Sequence, residues 1–170
     1  MTPAPLTSLY RLERDLTRDQ LIDALAQTPA LLRSAVVDAT GSDLVRARQG
    51  GEWSAMQICR HIRDAVQIYG LRFKYIILED DPFLPNFDED AWAADSPDGP
   101  TNIDSLLSQV EGDRAETIRL LRAMPPAAWS RTGRHEVLGS VVLEPYVRHE
   151  LVHEEQHLAQ LQSALKGHDR

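Results

Sequence analysis

The densest chemistry in the chain lies near its C-terminal end. His149-Glu-Leu-Val-His153-Glu-Glu-Gln-His157 spaces three imidazoles at i, i+4 and i+8. On an α-helix each step of four turns about 40°, so the three share one face, and Gln160 falls in the same stripe. Two imidazoles at i and i+4 can converge on one divalent cation, each giving a neutral nitrogen lone pair. A third donor has to come from another element. His61 is the candidate, because it sits among Ile58, Ile62 and Ala65, where a polar ring needs a partner. Alone, His61 reads as a hydrogen-bonded core histidine; beside the pair it reads as a third ligand in a helix-bundle core. Three roles are open to His149: ligand, donor behind a ligand, or gate above the site.

H-E-x-x-H occurs twice, from His149 to His153 and from His153 to His157, which raises a zinc-peptidase reading. Geometry disfavours it. Glu150 lies about 60° and Glu154 about 100° from His153 around the helix, and the chain after His157 is too short to offer a downstream third ligand. Asp64, at i+3 from His61, is placed either to orient that ring or to pair with Arg60 or Arg63. His149, Asp64 and Gln160 are therefore the candidates for catalytic roles around the ligands. Cys59, the single cysteine, is about 200° from His61 and reads as a small buried hydrophobe; one cysteine excludes a disulfide framework and a thiolate zinc site. His135 and His168 lie in a connection and in the C-terminal tail and read as solvated.

Four long stretches of helical periodicity have to position these groups. The first runs from about Asp19 to Ala39, with Thr28-Pro29 placed to kink or restart it, and Ser54 caps the second, which reaches about Glu79. The third spans Ile103 to Ala123, before Pro125-Pro126, and the fourth Val142 to Lys166, with Pro145 tolerated in its first turn. Only the stretch from Gly133 to Glu144 leaves room for a short extended piece. The expected fold is all-α, an antiparallel four-helix bundle with a long loop between helices 2 and 3. Residues 1–16 read as a flexible N-terminal segment and 17–170 as a single domain.

The formal charge is −8, and seven acidic residues (Asp80, Asp81, Asp88, Glu89, Asp90, Asp95, Asp98) fall between Asp80 and Thr101 with no basic residue among them. The acidity argues against a nucleic-acid backbone as partner, and the apolar runs are too short for a membrane span. The N-terminus has no basic start followed by an apolar run, so a cytoplasmic location is expected. Within the acidic loop Phe83, Phe87 and Trp92 are expected to turn inward and pack it over one end of the bundle. Trp53, Trp92 and Trp129 lie in or beside connections and read as caps on the core.

GGEWSAMQICRHIRD around His61, LRFKYIILEDDPFLPNFDEDAWA, and HEEQHLAQL near the end together resemble the DinB-like metalloprotein superfamily, most closely its YfiT-like, bacillithiol-transferase branch. The resemblance covers nearly the whole chain from about Leu21. It implies a four-helix bundle with one divalent metal ion per chain, zinc or nickel foremost and manganese or iron as further choices, held by His61, His153 and His157. It also implies a homodimer, and a reaction in which a low-molecular-weight thiol cosubstrate, bacillithiol-like, is transferred to a small electrophile. Hydrolysis of a small ester or amide, or a non-catalytic metal-binding bundle of stress response, are the alternatives.

Overall fold

Local capping explains where the long helices begin. Thr17 and Gln20 close a reciprocal box: the Thr17 hydroxyl accepts from the Gln20 N–H, and the Gln20 side chain accepts from the Thr17 N–H, starting α1 at Arg18–Val36. A short α2, Gly41–Val45, follows. Ser54 and Gln57 repeat the box at the head of α3, Ala55–Leu78, and Asn102 accepts from the N–H groups of Asp104 and Ser105 to start α4, Ile103–Ala123. The last helix, α5, spans Leu143–Lys166 and takes Pro145 in its first turn, where no backbone donor is lost. This computed structural model describes residues 16–46, 49–87 and 102–166. Trp92, the acidic residues from Asp88 to Asp98, His168 and most of the N-terminal segment lie outside them.

The four long helices form a bundle in which α1 and α3 each pack against both α4 and α5. Ring contacts show that α3 and α5 run antiparallel: His61 meets His157 and His153, Tyr69 meets His149, and Phe73 meets Tyr146. At Gly70 a β-carbon would stand 2.5 Å from Thr117 Oγ1, so the glycine permits the close approach of α3 and α4. Beside the bundle lies a small sheet in the order β1 (Phe83–Leu84), β2 (Thr132–His135), β3 (Gly139–Val142), with β1 parallel and β3 antiparallel to β2. The fold is thus a four-helix bundle with this small addition. Gly133 lets β2 lie on α3, since a β-carbon there would meet Ile76 at 3.0 Å and Leu84 at 3.1 Å.

The core divides into two apolar packets. One gathers Leu25, Phe73, Ile76, Trp129 and Tyr146; the other gathers Leu32, Ile58, Ile62, Leu107 and Leu161. Between them each long helix contributes buried polar groups: Thr28 from α1, His61 and Asp64 from α3, Arg114 and Thr117 from α4, Glu150 and Glu154 from α5. Cys59 is fully buried, and burial pushes its thiol pKa up to about 12, so it behaves as a hydrophobe. Trp129 caps the first packet.

Several expectations are corrected. α1 runs through Thr28 and Pro29 as one helix; Thr28 caps nothing and instead donates its hydroxyl to Glu154 Oε2 at 2.6 Å. Phe83 faces solvent with 55 % of its surface exposed, and Leu84 is the buried residue, because neighbouring side chains of a strand alternate between its two faces. His135 is buried by the same alternation on β2, and its Nδ1 accepts from the N–H groups of Val137 and Leu138.

Candidate metal centre

Three helical positions bring three imidazoles together. His61 projects from the first half of α3, and His153 and His157 from one face of α5. One nitrogen of each lies within 4.8 Å of the other two, and His61 Nε2 stands 3.1 Å from His153 Nε2. Ring centroids are 4.2–4.9 Å apart: 4.9 Å for His61 and His153, 4.2 Å for His61 and His157, and 4.5 Å for His153 and His157. Ligand nitrogens about 2.0–2.1 Å from a tetrahedral cation stand roughly 3.3 Å apart, so this spacing fits a divalent ion with little movement.

Electrostatics prepares the donors. Burial, then the neighbouring His157 ring, holds the His61 pKa down to about 3, and burial with the surrounding imidazoles holds His153 at about 2. Burial lowers His157 as well. All three rings are therefore neutral at physiological pH, the form that donates a lone pair. The His157 Nδ1–H donates to Gln160 Oε1 at 2.8 Å, which leaves Nε2 bare toward the other two rings. Gln160 thus acts behind His157 as its orienting partner.

Trp53 walls the cluster, its ring 5.0 Å from His61 and stacked at 6.0 Å and 18° on His157. Beside it opens a cavity of about 440 Å³ bordered by Gly51, Glu52, Trp53, His157, Gln160 and Ser163. The sequence reading of Trp53 as a core cap missed this role. Its place immediately before the Ser54 cap, two turns ahead of His61, was the available signal.

His149 lies one turn from His153 but outside the convergent three. Its ring stacks on Tyr146 at 6.1 Å and 11° and meets the edge of Tyr69 at 6.0 Å, and burial lowers its pKa. Asp64 does not face the cluster as a free base: its carboxylate accepts from Arg63 Nε at 2.8 Å. Glu150 and Glu154, at 0 % and 1 % exposure, turn into the bundle and both accept from Arg114 Nη2, Glu150 at 2.7 Å. Burial drives the Glu154 carboxyl above the usual carboxylate range, against the pull of Arg114. Their positions on the apolar stripe with Leu158 and Leu161 could have revealed this, since i and i+4 spacing points them inward.

The chain is similar in sequence and fold to known proteins. YfiT of Bacillus subtilis, described as a probable metal-dependent hydrolase with an unusual four-helix bundle topology, superposes with a TM-score of 0.81 over 89 % of both chains at 24 % identity, a likeness of fold. A protein of Oceanobacillus iheyensis, provisionally named a metal-dependent hydrolase, is 28 % identical over 151 residues, 89 % of this chain and 87 % of its own. Another so named, from Geobacillus kaustophilus, is 30 % identical over 146 residues, 85 % and 82 % of the two chains. The sequence profile of one family matches residues 24–161, which takes in α3 and α4 whole, most of α1 and α5, and every histidine of the cluster: the chain belongs to the DinB superfamily.

Proposed function

We propose that the chain is an enzyme that holds one divalent cation, zinc or nickel foremost, on His61, His153 and His157, and that it transfers a low-molecular-weight thiol to a small electrophile. The observation that carries this reading is the convergence of three neutral imidazole nitrogens beside a cavity of about 440 Å³, within the size range of small-molecule sites. A bound cation of this kind supplies one chemistry: it lowers the pKa of a thiol or a water that joins its ligands. The protein supplies the rest. Gln160 fixes the tautomer of His157, Trp53 screens one side of the cluster from water, and burial in the bundle keeps the rings uncharged.

Transfer is favoured over hydrolysis by the state of the carboxylates. Hydrolysis needs a base and a proton donor for the leaving group, yet Asp64 is held by Arg63, and Glu150 and Glu154 by Arg114. A thiolate nucleophile needs fewer helpers. Hydrolysis of a small ester or amide stays as the second reading, supported by the names of the relatives and by His149, a neutral imidazole one turn from His153.

The test is an activity screen of metal-reconstituted protein with bacillithiol, mycothiol and glutathione against epoxides and alkyl halides, beside a panel of esters and amides without thiol. Metal-dependent formation of a thiol adduct supports transfer. Thiol-independent ester or amide cleavage moves the assignment to the second reading. Loss of folding on metal removal, with neither activity, assigns the cation a structural role. The homodimer belongs to the same reading, and a monomeric mass by light scattering at micromolar concentration would remove it.

A further inference from the structure

Two arginines are buried in this bundle among groups that leave their charges in opposite conditions. Arg114 is flanked by Glu150 and Glu154. Arg72, 7 % exposed on α3, has no carboxylate within ion-pair distance among the described residues. Its Nη1 donates to the Tyr146 hydroxyl at 2.9 Å and its Nη2 to the Pro85 carbonyl at 2.5 Å, both uncharged acceptors. Burial pushes the Tyr146 phenol up to about 12, so that oxygen brings no counter-charge. A guanidinium carries five N–H donors, and among the described residues two hydrogen bonds are made from this one. Taking such a charge out of water is costly unless an anion joins it.

The neighbours of Arg72 also carry hydrogen-bonding capacity that is not used among the described residues. The Tyr146 hydroxyl receives from Arg72 and keeps its own proton to donate. His149 Nδ1 is buried and has no hydrogen-bond partner among the described residues. The ring of Tyr69 ties this group to the metal centre: Arg72 lies 5.8 Å above it, His149 stands 6.0 Å away, and His153, one of the three converging histidines, 5.9 Å. Among the described residues, a buried imidazole nitrogen without a partner and a guanidinium without a counter-charge therefore stand one aromatic ring from the site.

We propose that Arg72, with His149 and the Tyr146 hydroxyl, forms a carboxylate-recognition site, and that the small molecule handled at the neighbouring centre carries a carboxylate. A carboxylate matches the planar guanidinium fork and can accept from two further donors at once. The site itself stands on Arg72 and His149; the statement about the substrate rests on the reading of the three histidines as a metal centre. The role differs from that of Arg114, whose charge is already met by Glu150 and Glu154, although its Nε and Nη1 make no hydrogen bond among the described residues.

The experiment is an NMR titration of the isotope-labelled, zinc-loaded full chain with propionate, read at the Arg72 Nε–H and the His149 imidazole, with propionamide and inorganic phosphate as controls. Saturable shifts with propionate and none with propionamide are expected. Arg72→Gln should weaken binding at least about tenfold, whereas His61→Ala, which disables the metal centre, should leave it within about threefold. That pairing separates the two readings: failure of wild type and His61→Ala to hold zinc, with propionate still bound at Arg72, refutes the metal centre and keeps the carboxylate site. Binding that is lost in His61→Ala but kept in Arg72→Gln places the carboxylate on the cation and overturns the inference. So does the absence of any saturable shift, an equal response to propionamide, or tighter binding of phosphate. Should Arg72→Gln not fold, Arg72→Lys and His149→Ala carry the test, and wild-type affinity in both overturns it.

Discussion

His61 and His153 are 92 residues apart in the chain, on different helices, and hold their Nε2 atoms 3.1 Å apart in the bundle interior. Two neutral imidazoles at that distance are either hydrogen-bonded to each other or joined by a shared cation, and the third ring, His157, completes a set of donors that suits the cation.

Alanine at His61, His153 or His157 should therefore each abolish stoichiometric binding of zinc or nickel, measured by elemental analysis after dialysis. A full molar equivalent retained in all three variants would refute the centre. His149→Ala should keep the metal, because His149 lies outside the convergent three.

Gln160→Ala should keep the metal at stoichiometry but weaken it. Without the acceptor at Oε1, His157 loses the bond that fixes its tautomer, and such outer partners are worth about 10–100-fold in affinity. Chelator competition reads the change; unaltered affinity would show that the bond does not orient the ring.

Arg114→Met should destabilise the fold by about 3–5 kcal/mol, because the buried carboxyl pair of Glu150 and Glu154 loses the cation it shares. Replacing Glu150 and Glu154 by leucine in the same chain should recover most of that loss, since an apolar set removes the uncompensated buried carboxyl groups. Urea denaturation of the single and triple variants decides it, and an equal loss in both would mean that packing, not charge, dominates.

His135 sets a pH dependence. Its pKa is held down to about 4, first by burial and then by the Arg72 charge, against 6.5 for an ordinary histidine. Between about pH 4 and 6.5 the unfolded chain binds a proton there that the folded chain does not, so this residue makes stability fall as pH drops through 6.5 toward 4. His135→Asn keeps an acceptor for the Val137 and Leu138 N–H groups and removes the titration. Urea unfolding at pH 4.5, 5.5 and 6.5 should show a slope shallower by about 1.4 kcal/mol per pH unit than wild type. Parallel slopes would mean that His135 is protonated in the fold.

Local rules made much of this molecule legible before any coordinates. Helical periodicity with Ser54 as a cap and the prolines after Ala123 located the four helices, because helix ends are decided within a few residues. The spacing of His149, His153 and His157 placed them on one face for the same reason, as did the 200° step that turned Cys59 away from His61. What those rules leave open is rotation and partnership. Which two imidazoles of α5 meet His61 depends on how far α5 is turned about its axis, and that turn is set across the bundle by Glu150 and Glu154 against Arg114 of α4 and Thr28 of α1. His135 looked solvated because the pairing of β2 with β1, some fifty residues earlier, is not encoded in its neighbours. The burial of Arg72 is not legible in its sequence neighbours: it is the approach of Tyr146 and the Pro85 carbonyl that places it inside. Periodicity is a property of adjacent residues, whereas burial of a charge depends on groups that reach it from other elements, and those meet only when the helices pack.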